Sequence, residues 1–81
     1  MARYFFDWRD GDNFDEDVEG MELPDLEAAK IEASRSLLEH AHDIPPSFER
    51  QSLSIEVRDE SGKSLLSIVL VLEIRSLALP G

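Results

Sequence analysis

The sequence predicts an α+β fold of the order β-β-α-β-β, with one helix packed on a mainly antiparallel four-stranded sheet. Three observations predict it. Apolar residues alternate near both ends of the chain, a glycine-containing turn follows each alternating segment, and a segment with helical periodicity lies between them. We expect one domain over residues 1–81, because a chain of this length can bury only a thin core.

The first hairpin is predicted from residues 3–9, which alternate with the period of two that is typical of a half-buried strand. Phe5 falls on the face away from the other aromatic residues. Residues 10–13 tolerate positive φ, so the chain is expected to reverse there into a weak second strand, with a further turn or bulge at residues 19–20. The face expected in the core carries Tyr4, Phe6 and Trp8.

The helix is predicted to begin after Asp25, a good N-cap residue, and to end before Pro45, because residues that precede proline avoid the α region. Ile31 and Leu38 are seven residues apart and stack on a separate flank of this helix. The stripe expected to face the core consists of Leu26, Ala29, Ala33, Leu37 and Ala41.

The second hairpin is predicted from strands at residues 52–58 and 64–75, joined by a turn at residues 59–63. The last strand is apolar on both faces, and a single helix covers only one of them. The face expected under the helix carries Leu66, Ile68, Leu70, Leu72 and Ile74. The face left without a covering element carries Leu65, Val69 and Val71.

These uncovered apolar residues predict a homo-oligomer, in the simplest case a dimer, because large exposed apolar patches usually mark interfaces. Two sheets packed face to face, or two strands joined edge to edge across a two-fold axis, would bury them. The alternative is that the loop at residues 44–50, with Ile44 and Phe48, folds over part of this surface. The predicted interface consists of Phe5, Leu65, Val69 and Val71, with Ile31 and Leu38 as second choice.

The formal net charge of −10 argues against nucleic acid and anionic membrane as partners, since both are bound by positive charge. Nine of the eighteen acidic residues lie between residues 10 and 27, where no Lys or Arg occurs. A solvated face that keeps the protein soluble explains this run, and a surface for a basic protein partner is the alternative. The predicted acidic patch consists of Asp10, Asp12, Asp15, Glu16, Asp17 and Glu19.

No metal, cofactor or catalytic residue is predicted. Residues 15–20 match the first half of an EF-hand calcium loop, but its twelfth position is Leu26 instead of a bidentate Glu. His40 and His42 lie about 200° apart around a helix, which cannot clamp one metal ion. The chain has no cysteine and no serine in a nucleophile elbow, and a core this small has little room for a substrate pocket, so we expect no enzyme activity.

A cytoplasmic location is expected. The apolar start of the chain gives way to Asp7 after a few residues, which is too short for a secretory signal. The most apolar segment, residues 65–72, is far shorter than a membrane span.

Several pieces of the chain, in this order, resemble a family of small single-domain bacterial proteins of unknown function that is abundant in rhizobia. They are Arg3-Tyr4-Phe5-Phe6, Arg9-Asp10-Gly11-Asp12, the run from Glu19 to Ala29, and the run from Val57 to Lys63. The resemblance covers nearly the whole chain and implies no activity, cofactor or catalytic residue. The final strand departs from the family's shorter and more polar tail.

The order of elements and the run from Leu23 to Ala29 are also similar to the domain of HicB-type antitoxins, although the acids of RNase H folds have no counterparts here. Three functions are therefore compared. The first is a non-catalytic, homo-oligomeric interaction or regulatory module. The second is an antitoxin-like or nucleic-acid-mimicking inhibitor of a basic protein, and the third is a metal-ion binder at the acidic run.

Overall fold

The computed structural model describes residues 1–44 and 49–78 and confirms the α+β class, with one helix packed on an antiparallel sheet. The sheet has five strands where the sequence predicts four. In chain order the elements are β1 (Ala2–Asp10), β2 (Asn13–Asp15), β3 (Met21–Leu23), α1 (Leu26–His42), β4 (Arg50–Arg58) and β5 (Ser64–Glu73).

The sheet order is β2-β1-β4-β5, and β3 pairs with β1 beside β2. β1 therefore meets β4 along one side and two short strands along the other. The turn between β1 and β2 uses Gly11 at a φ of 58°, as the turn residues predict. β5 pairs with β4 and forms one edge of the sheet.

The additional strand is β3, whose three residues pair with Ala2–Tyr4 of β1. Gly20 leads into it at a φ of 71°, and a Cβ there would lie 3.0 Å from the Tyr4 carbonyl oxygen. Only glycine fits both this conformation and this approach to β1. The turn at residues 19–20 is thus confirmed, whereas a strand this short has too little alternation to be predicted.

The helix begins where the sequence predicts. The Asp25 carboxylate accepts a hydrogen bond of 2.9 Å from the Ala28 backbone N–H and so caps the first turn. At the other end the backbone N–H of Asp43 bonds to the last carbonyls of α1. Within the described ranges, no helix combines the length and apolarity that crossing a membrane requires.

The core lies between α1 and the centre of the sheet. Small residues of α1 bring the helix close to β4, whose inward side chains Leu53, Ile55 and Val57 are buried. Leu26, predicted in the helix stripe, is instead 37% exposed because it belongs to the first turn. Ile44 packs at the border of the core, and Phe48 lies outside the described residues. The buried apolar residues are Tyr4, Ala29, Ala33, Leu37, Leu53, Ile55 and Val57.

Leu65 does not lie on the uncovered face, where the sequence places it. The β4–β5 register shifts between Val57, which pairs with Leu66, and Arg58, which pairs with Ser64. Leu65 is the extra residue of this irregularity, and its side chain packs against the core instead of lying beside Val69. A period of two cannot show such a shift, because the shift depends on the partner strand.

Leu37→Ala is expected to lower the free energy of unfolding by about 2–5 kcal/mol, because the buried side chain leaves a cavity between α1 and the sheet. Leu77→Ala is the matched control: the same change at a position where the side chain is 90% exposed should cost about 0.5 kcal/mol or less. Urea unfolding of both variants measures the difference, and equal losses would contradict this packing.

Candidate functional site

One buried ion pair organises the sheet face opposite the helix. Asp7 of β1 is only 4% exposed, and its Oδ2 accepts a hydrogen bond of 2.6 Å from Nε of Arg58 on β4. A second bond of 3.2 Å joins Nη2 of Arg58 to Oδ1 of Asp7. The hydrogen bonds that Arg58 donates to Asp7 and the charges of nearby carboxylates raise the pKa of Arg58. A buried carboxylate needs such a partner, because burial without one is costly.

The same arginine covers Phe5, which is therefore half-buried. The guanidinium carbon of Arg58 lies 4.9 Å from the centre of the Phe5 ring, a cation–π geometry. Phe5 pairs with Arg58 of β4, and Arg58 in turn pairs with Ser64 at the start of β5. Val69 and Val71 pair with serines that lie elsewhere along β4. Phe5 thus lies apart from the apolar residues of β5 with which the sequence groups it.

Residues 16–20, which we call the acidic loop, fill a gap along the edge of β1. β2 pairs with Trp8–Asp10 and β3 with Ala2–Tyr4, so neither strand pairs with the middle of β1. There the Phe6 N–H donates to Asp17 Oδ2 at 3.1 Å, and the Asp17 N–H donates to Asp7 Oδ1 at 3.0 Å. A carboxylate thus takes the place of a missing strand.

Asp17 is held in its charged form by its hydrogen bonds. Burial alone would raise the pKa of Asp17, but the N–H groups of Phe6, Gly20 and Glu19 and the charge of Arg58 outweigh that and lower it below 3.8. Both carboxylate oxygens accept backbone N–H groups. Since Leu26 opens α1, the arrangement differs from an EF-hand loop, which needs free oxygens and a twelfth-position Glu.

Trp8 lies between two surface clefts of about 410 and 350 Å³. His40 of α1 meets the indole edge-on, with 5.2 Å between the ring centres, while His42 lies exposed at the helix end. One cleft is lined by Phe6, Trp8 and residues 15–19, and the other by Trp8, Asp10, Asn13, Phe14, Asp15 and His40. We call these two cavities together the Trp8 cleft.

The structure brings most of the predicted acidic patch together around this cleft. Asp12 is the exception, since it is exposed in the β1–β2 turn and lines neither cavity. Among the described residues, no ion pair involves Asp15 or Glu16. The cleft therefore combines an aromatic wall with two carboxylates, Asp15 and Glu16, that form no salt bridge within the described chain.

A second surface lies at the opposite edge of the sheet. Leu38 of α1 and Val69 of β5 are 63% and 59% exposed and line one groove of about 180 Å³. Ile31 is exposed on the same flank of the helix as Leu38. We call the exposed apolar residues of this region the edge surface: Ile31, Leu38, Val69, Val71 and Leu72.

Four of the six predicted interface residues thus belong to the edge surface, and Phe5 and Leu65 do not. Leu72 is an addition: the sequence places it under the helix, but it is exposed. Leu72 pairs with Gln51, near the start of β4, and the apolar residues near it come from the end of α1 and from Ile44. The sequence shows that Leu72 is apolar, but it does not show that α1 leaves this position exposed.

The chain belongs to the family described as "Domain of unknown function (DUF6894)", whose model matches residues 3–71. The match includes the Trp8 cleft and all of the edge surface except Leu72. Comparisons with the curated proteins and with the solved structures found no match.

Asp17 is expected to make the stability of the fold depend on pH. The pKa of Asp17 is below 3.8 in the folded protein, so acid protonates this carboxylate more readily in the unfolded chain than in the folded one. This stabilisation is present above pH 3.8 and is lost as the pH falls through the lowered value. Asp17→Asn should lower the melting temperature at neutral pH and reduce the further fall on acidification.

Melting temperatures at about pH 7 and about pH 2.5 measure this dependence. Asp15→Asn is the matched control, since it removes a neighbouring carboxylate that makes no hydrogen bond among the described residues. An equal flattening of the pH dependence in both variants would contradict the role of Asp17.

Proposed function

We propose, since the family carries no assigned activity, that this chain is a small non-catalytic interaction or regulatory module that works in the cytoplasm as a homo-oligomer. The edge surface is the observation that carries this proposal. It gathers five exposed apolar side chains on an 81-residue protein whose net charge is −10. A monomer rarely leaves such a surface in water.

The electrostatics support a binding role without catalysis. A carboxylate that acts as a general acid at neutral pH needs a raised pKa. The pKa of Asp17 and the pKa of Asp59 are both lowered from the ordinary value. For Asp59 the main cause is the hydrogen bond from the Ser61 hydroxyl, which belongs to the β4–β5 turn. Both carboxylates therefore serve loop structure.

Val69→Lys is expected to weaken self-association by at least about tenfold, because a charge would enter an apolar contact. The fold should be unaffected, since the side chain is largely exposed. Sedimentation velocity over a range of protein concentrations measures the change, and circular dichroism checks the helix and sheet content.

Val18→Lys is the matched control. It makes the same change on the acidic loop, where Val18 is 79% exposed, and should leave the sedimentation coefficient unchanged. A wild-type chain that stays monomeric at every concentration, or equal behaviour of the two variants, would refute self-association through the edge surface.

A second candidate function is the capture of a basic protein, as in an antitoxin-like or nucleic-acid-mimicking inhibitor. The observation that favours it is the Trp8 cleft, in which Asp15 and Glu16 stand beside an aromatic wall. Guanidinium and ammonium groups bind both to carboxylates and to aromatic faces. Arg9 already lies 4.9 Å over the ring of Phe14 at the border of this cleft.

Poly-L-arginine is a suitable probe for this second function. Trp8 is the only tryptophan, so its fluorescence reports on the cleft alone. We expect a saturable fluorescence change whose affinity falls as salt is raised, since exposed charges are screened. The double variant Asp15→Asn/Glu16→Gln should weaken binding by roughly fivefold.

The control for total charge is Glu27→Gln/Glu49→Gln, which removes two exposed carboxylates that line neither cavity. Binding should then stay close to the wild-type value. Equal weakening by both double variants would show that net charge attracts the probe and that the cleft has no part in it.

A further inference from the structure

The outer edge of β5 carries backbone groups that the described chain does not pair. β5 is the terminal strand in the order β2-β1-β4-β5, and all of its residues except Leu65 pair with β4. In an antiparallel ladder the N–H and C=O groups of alternate residues point to opposite sides of the strand. About half of the ten residues of β5 therefore direct these groups away from β4.

Between its first and last residues, from Leu66 to Leu72, this edge has none of the features that usually prevent strand pairing. Sheet edges are commonly protected by charged residues, proline, short strands or bulges. The opposite edge has such protection, because β2 and β3 are three residues long and contain acidic residues. β5 has no charge from Ser64 to Leu72, and its one irregularity lies at its start.

Face-to-face packing of two sheets is the weaker arrangement. On the face opposite the helix, Val69 and Val71 pair with Ser54 and Ser52 of β4. The neighbouring positions of β4 on that face are Glu56 and Arg58, and Arg58 is already paired with Asp7. The apolar part of that face is thus a narrow stripe at the edge, and only a partner placed beside the edge covers it.

The charge distribution indicates that the occupant is a second copy of the chain. Two copies that each carry a charge of −10 repel over most of their surface, but not along the uncharged residues 64–72. Lys63 precedes β5 and Glu73 ends it. Glu73 is already paired with Arg75 at 2.5 Å, so the orientation depends on strand pairing itself, in which an antiparallel ladder is slightly more stable per residue than a parallel one.

We propose that two copies of the chain join through β5, antiparallel and across a two-fold axis perpendicular to the sheet, to form one continuous sheet. This inference rests on the self-association proposed above and specifies its geometry. The axis leaves both helices on the same face of the joined sheet. Each added strand lies beside the groove that Leu38 and Val69 line, so the helix flank also gains apolar contact.

Hydrogen exchange of the β5 amides, measured by NMR, tests the pairing. At a concentration where sedimentation shows the dimer, both sets of β5 amides should be protected. In Val69→Lys, which is expected to be monomeric, the outward set should exchange at least about tenfold faster, while the set bonded to β4 stays protected and serves as an internal control.

Two other outcomes distinguish a failure of the strand pairing from a failure of self-association. A wild-type dimer whose outward β5 amides exchange as fast as in Val69→Lys would overturn strand pairing and leave self-association standing. A wild-type chain that is monomeric by sedimentation would overturn self-association and, with it, the pairing.

The orientation is tested in mixed dimers, because the chain has no cysteine of its own. A nitroxide on Lys63→Cys, mixed with isotope-labelled wild-type chain, should broaden amide signals near the partner's Glu73. Broadening near the partner's Ser64 instead would refute the antiparallel arrangement.

Discussion

The organisation of this protein depends on how much of the sheet a single helix can cover. α1 approaches β4 closely because Ala29 and Ala33 face it, and the close approach buries three inward side chains of that central strand. The same helix reaches β5 only through its flank, so Leu38 and Val69 border a groove instead of a packed contact. One helix cannot cover all five strands of the sheet. Some apolar side chains of β5 therefore stay exposed, and together with the exposed flank of α1 they form the edge surface.

The other edge of the sheet, along β1, is completed by the chain itself. The edge of β1 is completed by two short strands and, between them, by the carboxylate of Asp17. Asp7 and Arg58 support this arrangement from the face opposite the helix, where the arginine also bonds to the Asp17 carbonyl. Acidic side chains therefore stabilise the fold at this edge. The acidic run combines loop-forming carboxylates with others, such as Asp15 and Glu16, that face the Trp8 cleft.

Much of the fold could be predicted because its signals are local. The Asp25 cap, the Gly11 turn and the alternation in β1 each depend on neighbours within a few residues, and each is confirmed. The errors have non-local causes. Leu65 turns inward through a register shift against β4, and Phe5 is covered by an arginine 53 residues away in sequence. For the candidate site, composition showed the acidic run, but only the fold places Trp8 among those residues.

One edge of the sheet is acidic and the other is uncharged, and this difference affects how copies of the chain can associate. If β5 joins two copies, both acidic edges lie at the far ends of the joined sheet, where like charges are farthest apart. Negative charge then opposes every other mode of association while leaving the uncharged edge free to pair, so the acidic run also protects the short strands against edge pairing. Because the Trp8 cleft lies at the β1–β2 side of each copy, dimerisation through β5 leaves both clefts open. The two proposed functions, self-association and capture of a cationic partner, are thus compatible, because they use opposite edges of the sheet.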